Sequence, residues 1–290
     1  MLLQKKVKTG NESMCANRSG SRYWSVVILL ILLFQPPHVH GEEELARQLM
    51  LESGLVSQLN LLYKSLSLQL DYTLKQDKKL RQLSEDKKRH IMSWLRTSYS
   101  PERLITSIQA YYYESLSDQD MQQILRWIRS STGNRFTEME KMATGSYAEQ
   151  AMKLYKASHP LQQFPENRRK LISRLNKVTK VSESALVVKL TAKLASALIE
   201  QQGSRNKQSV ADLMKDIGRQ RDELMQEIMP DLIPDMLYMY RDASDLELQS
   251  YISFAESSVG VRYHTTLLGA FNNALIEASQ DFGHVLLSEY

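Results

Sequence analysis

SDQDMQQILRWIRSSTGNRF, residues 117–136, returns 127 residues later as SDLELQSYISFAESSVGVRY, residues 244–263. The two stretches align without a gap. Over 113–136 against 240–263, eight positions are identical: Tyr113, Ser117, Asp118, Gln122, Ser130, Ser131, Gly133 and Arg135 with their partners. Chance at average residue frequencies gives about one or two. Each copy reads as one capped helix. Ser117 and Ser244 are N-cap residue types. Asp120 and Glu247, three residues on, complete an S-x-x-[DE] pattern that sets an acid at the positive end of the helix. Met121, Ile124, Leu125 and Ile128 then fall at i, i+3, i+4 and i+7. Leu248, Tyr251, Ile252 and Ala255 take the same steps, and Trp127 and Phe254 widen each apolar stripe. Both helices run into Ser-Ser-x-Gly, through Ser130 and Ser257. Gly133 and Gly260 are expected to close them in the left-handed conformation that a Cβ disfavours.

Outward from this repeat the chain is helical throughout. Apolar residues recur at helical spacing over 43–72 and 76–98, and Pro101 opens a further helix. Two prolines in HPLQQFPE, residues 159–166, cannot continue a helix and mark a boundary. The second half restarts with NRRKLISRLNKV and runs through 182–202 and 206–229. Gly203 with Ser204 reads as a helix stop. Pro230 and Pro234 are expected to interrupt the pattern before the second copy and a last helix to about Gly283. The repeating unit is roughly 100–125 residues, far longer than solenoid repeats of about 20–50. The expected fold class is therefore all-α: a helical bundle of two repeat-related halves, 42–158 and 166–290, after an N-terminal segment 1–41.

That segment is a different kind of sequence. Lys5, Lys6, Lys8, Arg18 and Arg22 precede the apolar run YWSVVILLILLF, residues 23–34, and then Pro36, Pro37 and VHG before EEE. This is the order of a secretory signal, with Val39 and Gly41 at the small-residue positions of a cut after Gly41. The alternative is an uncleaved inner-membrane anchor, although 23–34 is shorter than the roughly 20 residues of an ordinary span. The expectation is export, to the periplasm if the cell is bacterial. Charge supports no nucleic-acid reading, despite a pI near 8.9. Of the 37 Lys and Arg, five lie in residues 1–41, and of the 33 Asp and Glu, one does. The remainder carries 32 of each sign and is formally neutral, so nothing suggests a phosphate-binding surface. Cys15 is the one cysteine and lies in the leader, which leaves the mature chain without a disulfide framework or a thiolate metal site.

The second copy resembles a family of exported bacterial helical proteins catalogued as domain of unknown function 2059. That family has an acid-capped helix, an aromatic residue and a Ser-x-x-Gly stop. Phe254, Ser257, Ser258, Val259 and Gly260 match it, with Ser258 where the family often has proline. Trp127, Ser130, Ser131, Thr132 and Gly133 match in the first copy, and LARQLMLESGLVSQL looks like the family's opening helix. The matching motifs cover about 60 residues. The resemblance implies an exported all-α protein and supplies no reaction.

Several groups carry candidate chemistry. The Ser-Ser pairs lack the elbow and base that a nucleophile needs and read as helix-end residues. His90, His159, His264 and His284 form no ligand pair at helical spacing and read as surface or loop residues. Arg135 and Arg262 could present guanidinium groups to a carboxylate or phosphate, or cap the preceding helix. The basic stretch Arg168, Arg169, Lys170, Arg174, Lys177 and Lys180 could meet anionic envelope polymers, or be a solvated face. Met236, Tyr238, Met239 and Tyr240 could line a groove for an apolar ligand, or pack the core. No cofactor or metal site is expected. The leading expectation is a non-enzymatic binding or assembly module of the cell envelope, with an envelope protein or a lipid as possible partner. The alternatives are a carrier of a lipid or other apolar molecule, and a hydrolase whose site is assembled from distant residues.

Overall fold

A computed structural model describes residues 39–145, 148–203 and 207–288. Cys15, the apolar run and the leader reading of 1–38 lie outside the described residues. Residues Glu42–Tyr290 form one compact unit. Every α-helix or short 3₁₀ turn among the described residues is helical structure, and no strand occurs there. In chain order the α-helices are α1 (Val39–Glu52), α2 (Leu55–Gln76), α3 (Glu85–Ser98), α4 (Pro101–Ser115), α5 (Asp118–Arg129), α6 (Ser131–Ala143) and α7 (Ala148–Ser158). The second half follows with α8 (Glu166–Thr179), α9 (Val181–Glu200), α10 (Val210–Gly218), α11 (Arg221–Met239), α12 (Asp245–Glu256) and α13 (Ser258–Ser288). The order repeats: α1 to α5 correspond to α8 to α12, and α6 with α7 to α13.

Two sequence expectations about helix breaks are corrected. The pattern over 43–72 is two helices, because Gly54 turns the chain at φ 78°. Lys180 does the same between α8 and α9 at φ 59°, so the first two helices of both halves meet through one left-handed residue. Pro230 and Pro234 do not interrupt the chain. They lie inside α11, whose buried Leu224, Met236, Leu237 and Tyr238 offset the backbone bonds that two prolines forgo.

The repeated corner also works differently from expectation. Ser117 and Ser244 cap α5 and α12, accepting from the Asp120 and Glu247 N–H groups at 3.2 Å. Glu247 returns the bond to the Ser244 N–H at 2.8 Å. Gly133 and Gly260 do not stop these helices, and neither has positive φ. The stop comes three residues earlier. Ser130 ends α5 and begins α6, donating its hydroxyl to the Trp127 carbonyl at 2.6 Å and accepting from the Gly133 N–H at 3.1 Å. Ser257 does the same between Phe254 and Gly260, at 2.6 and 3.1 Å. Glycine is required for a close approach. A Cβ on Gly133 would stand 1.9 Å from the Trp127 carbonyl oxygen, and one on Gly260 would stand 2.0 Å from that of Phe254.

The two corners face each other. Trp127 and Phe254, which correspond in the repeat, stack at 4.6 Å with an interplanar angle of 8°. Arg135 of the first copy donates to Glu247 of the second at 2.8 Å and to the Asp242 carbonyl. Arg262 of the second donates its Nε–H to Asp120 of the first at 3.0 Å. Each arginine thus reaches the capping acid of the other copy, as in an isologous dimer interface. Past the corner the chain crosses over. Phe136 and Met139 of α6 enter a core otherwise built by α8, α11 and α12. Tyr263, Phe282 and Leu286 of α13 enter the core built by α1 to α5, to which α9 and α10 also contribute. Tyr99, the C-cap of α3, donates to Ser279 of α13 at 2.8 Å and packs edge-on to Phe282.

Within each half a two-pronged ion pair ties the opening helix to the capped helix. Arg129 of α5 grips Glu52 of α1 at 2.6 and 2.7 Å. Arg174 of α8 grips Glu256 of α12 at the same distances. Arg129 and Glu256 are corresponding positions, so the sign is reversed between the copies.

Candidate functional site

Where the left-handed junctions meet α6, α11, α12 and α13, the structure forms a half-open cavity of about 330 Å³. Its apolar wall includes Leu55, Met236, Met239 and Leu267. Its polar groups come from both halves. Glu140, on the face of α6 that carries Phe136 and Met139, is held there by helical spacing. The Tyr240 hydroxyl donates to its Oε1 at 2.8 Å, and that of Tyr251 approaches at 3.4 Å. Tyr263 and His264 arrive one residue apart on the first turns of α13, both buried. Burial, with Glu140 nearby, raises the Tyr263 hydroxyl. His264 Nε2 is buried without a partner. Burial of His264 corrects the expectation of a surface or loop histidine. Its helix turns it inward because it follows Val259, Gly260 and Tyr263, all on the buried side.

The electrostatics of the cavity follow from dehydration. Burial pushes the Glu140 carboxyl up from 4.5 to about 7, against the lowering effect of the Tyr240 and Tyr251 hydrogen bonds. Burial, aided by the Lys180 charge, takes His264 from 6.5 down to about 4. Burial and the neighbouring Glu140 both raise the Tyr240 and Tyr251 hydroxyls. At neutral pH the cavity therefore holds a half-ionised carboxyl, a neutral imidazole and neutral phenols.

These two shifts act oppositely on stability. Between about pH 4.5 and 7 the folded chain keeps a proton on Glu140 that the unfolded chain has lost, so its burial costs stability as pH rises. Between about pH 6.5 and 4 the unfolded chain takes up a proton on His264 that the folded chain refuses, so stability is lost as pH falls. They offset each other over the shared window. Glu140→Gln removes the first effect alone. The variant is expected to match the parent near pH 4 and to gain, up to a plateau above pH 7, on the order of 2 kcal/mol once partial exposure is discounted. Thermal melts of both chains from pH 4 to 8 check this. A difference that does not change with pH would mean that Glu140 titrates as an ordinary carboxyl.

The residues singled out in the sequence divide between this cavity and the frame around it. Met236, Met239 and Tyr240 line the cavity. Tyr238 does not. It packs edge-on to Tyr155 at 5.4 Å, with the Arg241 guanidinium 4.4 Å above its ring. Arg135 and Arg262 are engaged in the exchanged ion pairs, and the Arg262 guanidinium holds the Asp120 carboxyl below the usual range. Ser117, Ser130, Ser244 and Ser257 are spent on caps. Three of the six cations of the basic stretch are paired: Arg168 with Asp245 at 2.9 Å, Lys170 with Glu166 at 2.6 Å and Arg174 with Glu256. Among the described residues no three His, Cys, Asp or Glu side chains gather as metal ligands. Nor is any helix there long and apolar enough to cross a membrane.

Glu140, Tyr251, Tyr263 and His264 were not read as site residues from the sequence. A signal for three of them exists in the aligned copies. Glu140 stands opposite Leu267, His264 opposite Thr137 and Tyr251 opposite Ile124. The copies thus differ in polarity at the positions that face the cavity. No family model, curated protein or solved structure matches the chain.

Proposed function

We propose that the mature chain is a non-enzymatic binding module of the bacterial cell envelope that takes a small, mainly apolar molecule into the cavity between its halves. One observation carries the reading: a cavity of about 330 Å³ holds a buried imidazole nitrogen with no partner. Buried polar atoms are almost always hydrogen-bonded, and leaving one unpaired costs about 1–3 kcal/mol. A bound molecule that supplies the partner removes that cost. The volume lies at the small end of ligand pockets, about 300–1,000 Å³. Met236 and Met239 add soft walls that adapt to shape. Export and the envelope location rest on the leader sequence, and the resemblance to an exported helical family points the same way.

The test is native mass spectrometry of the chain released gently from the envelope of its own host. A bound small mass is expected, and it should be lost when Met239→Trp fills the cavity. A chain that is bare, or a mass that survives Met239→Trp, counts against the cavity as the binding site. Turnover of an envelope substrate that vanishes with Glu140→Gln or His264→Gln would make the protein an enzyme instead.

A further inference from the structure

We infer that the cavity ligand is a primary amine with an apolar body, held as its ammonium ion by the Glu140 carboxylate and the acceptor atoms around it. The inference rests on the cavity reading above and deepens it. Most of the donors in the lining are spent on the fold. Tyr240 gives its proton to Glu140, and Tyr251 points its own at the same oxygen. Thr144 donates to the Lys141 carbonyl and Thr179 to the Leu175 carbonyl, both at 2.7 Å. Ser53 donates to the Met50 carbonyl. What these groups still offer to a ligand is lone pairs. His264 Nε2 offers another in the tautomer with the proton on Nδ1. The donors that remain in the lining are Gln58, which is exposed, Ser184, half-buried, and the buried Tyr263 hydroxyl; none of them carries a charge.

A carboxylate, a phosphate or a sulfate would meet acceptors and a like charge. An ammonium group meets the opposite situation: three donors, no acceptor, and a positive charge within reach of a carboxylate and aromatic faces. No lysine or arginine contributes to the environment of Glu140, whose proton affinity is set by burial and the two tyrosines. The nearest cations act elsewhere. Lys141, next in sequence, pairs with Glu138 at 2.9 Å, and Lys180 acts on His264. Glu140 is therefore a half-buried acid that lacks a counter-ion, and an ammonium supplies one. Charge balance then fixes a measurable event. Where Glu140 is protonated before binding, the ammonium displaces that proton, which leaves to the buffer.

Calorimetric titration of residues 42–290 with three molecules of one shape tests this: phenethylamine, phenethyl alcohol and hydrocinnamate. The amine is expected to bind at least about tenfold more tightly than the alcohol, and hydrocinnamate more weakly than both. At about pH 6, in buffers of differing ionisation enthalpy, amine binding should release a substantial fraction of one proton, and none by pH 9. Glu140→Gln should erase the preference for the amine and the proton release while alcohol binding persists. Tyr240→Phe keeps the carboxyl and serves if Glu140→Gln fails to fold; it should retain the preference with weaker binding. Equal or tighter binding of the alcohol or hydrocinnamate would overturn the amine inference and leave the cavity reading standing. Binding of none of the three at millimolar concentration would overturn both.

Discussion

Gly133→Ala and Gly260→Ala are each expected to destabilise the protein by about 3 kcal/mol, the upper end of the usual overpacking range. The sign is the informative part. Both glycines sit in the first turn of a helix, at ordinary negative φ. Helix propensity alone predicts that alanine stabilises by roughly 0.5–1 kcal/mol. Sterics reverse it, because the new Cβ would lie 1.9 or 2.0 Å from a backbone oxygen. That oxygen cannot swing aside cheaply. The Trp127 carbonyl already accepts from the Ser130 N–H at 3.0 Å and from its hydroxyl at 2.6 Å, and Phe254 and Ser257 repeat the arrangement. Gly218→Ala is the control, since nothing lies within 4 Å of its added Cβ. Urea unfolding of the three variants decides the matter. If Gly133→Ala and Gly260→Ala are as stable as Gly218→Ala, the tight corner does not exist.

The second large effect concerns the halves. Residues 42–158 and 166–290, produced separately, are each expected to show no cooperative melt as a monomer, and mixing them should restore one. The reason lies in the exchanged cores. The first half alone would expose the surface that Leu194, Leu198, Ile199, Tyr263, Phe282 and Leu286 cover. Six such side chains, at about 1.5–3 kcal/mol each, amount to as much as the roughly 5–15 kcal/mol net stability of a whole domain. The second half alone would lose Phe136, which is 2% exposed and packs on Tyr240 and Tyr251 at 5.4 and 4.8 Å. Far-ultraviolet circular dichroism with temperature, at concentrations that keep each half monomeric, is the measurement. A sharp transition from either half alone would show that its core closes without the other.

How much of this was legible depended on how local the determinant is. The capped helices α5 and α12 are, because Ser117, Asp120, Ser244 and Glu247 act within one turn and the apolar stripe follows at fixed spacing. The corner was misjudged because Ser-Ser-x-Gly resembles a left-handed stop. Whether the glycine follows a helix or starts the next one depends on which way the Ser130 and Ser257 hydroxyls turn. The pairing of α1 with α8 was hidden because the offset slips to 126 there, with Leu45, Leu49 and Gly54 answering to Leu171, Leu175 and Lys180. A lysine in the left-handed region is not a pattern that single-residue reasoning anticipates. Of the candidate site, Met236, Met239 and Tyr240 could be named in advance because they are close in sequence. Glu140 and His264 could not, since 124 residues separate them and only the exchange of α6 and α13 brings them to one cavity.

The reversed ion pairs bear on how a chain containing two similar units avoids assembling itself wrongly. If α1 docked on α12 in place of α5, in the register of α8, Gln48 would stand where Arg174 does and Glu52 one turn on, so Glu256 would lose its cation and gain an acid nearby. If α8 docked on α5, Arg174 would confront Arg129. Each mistaken partnership sets like charges together, whereas the native ones join opposites at 2.6 and 2.7 Å. At half-exposed sites such pairs add little to final stability. Their value is discrimination between near-identical docking surfaces, which attraction alone cannot provide.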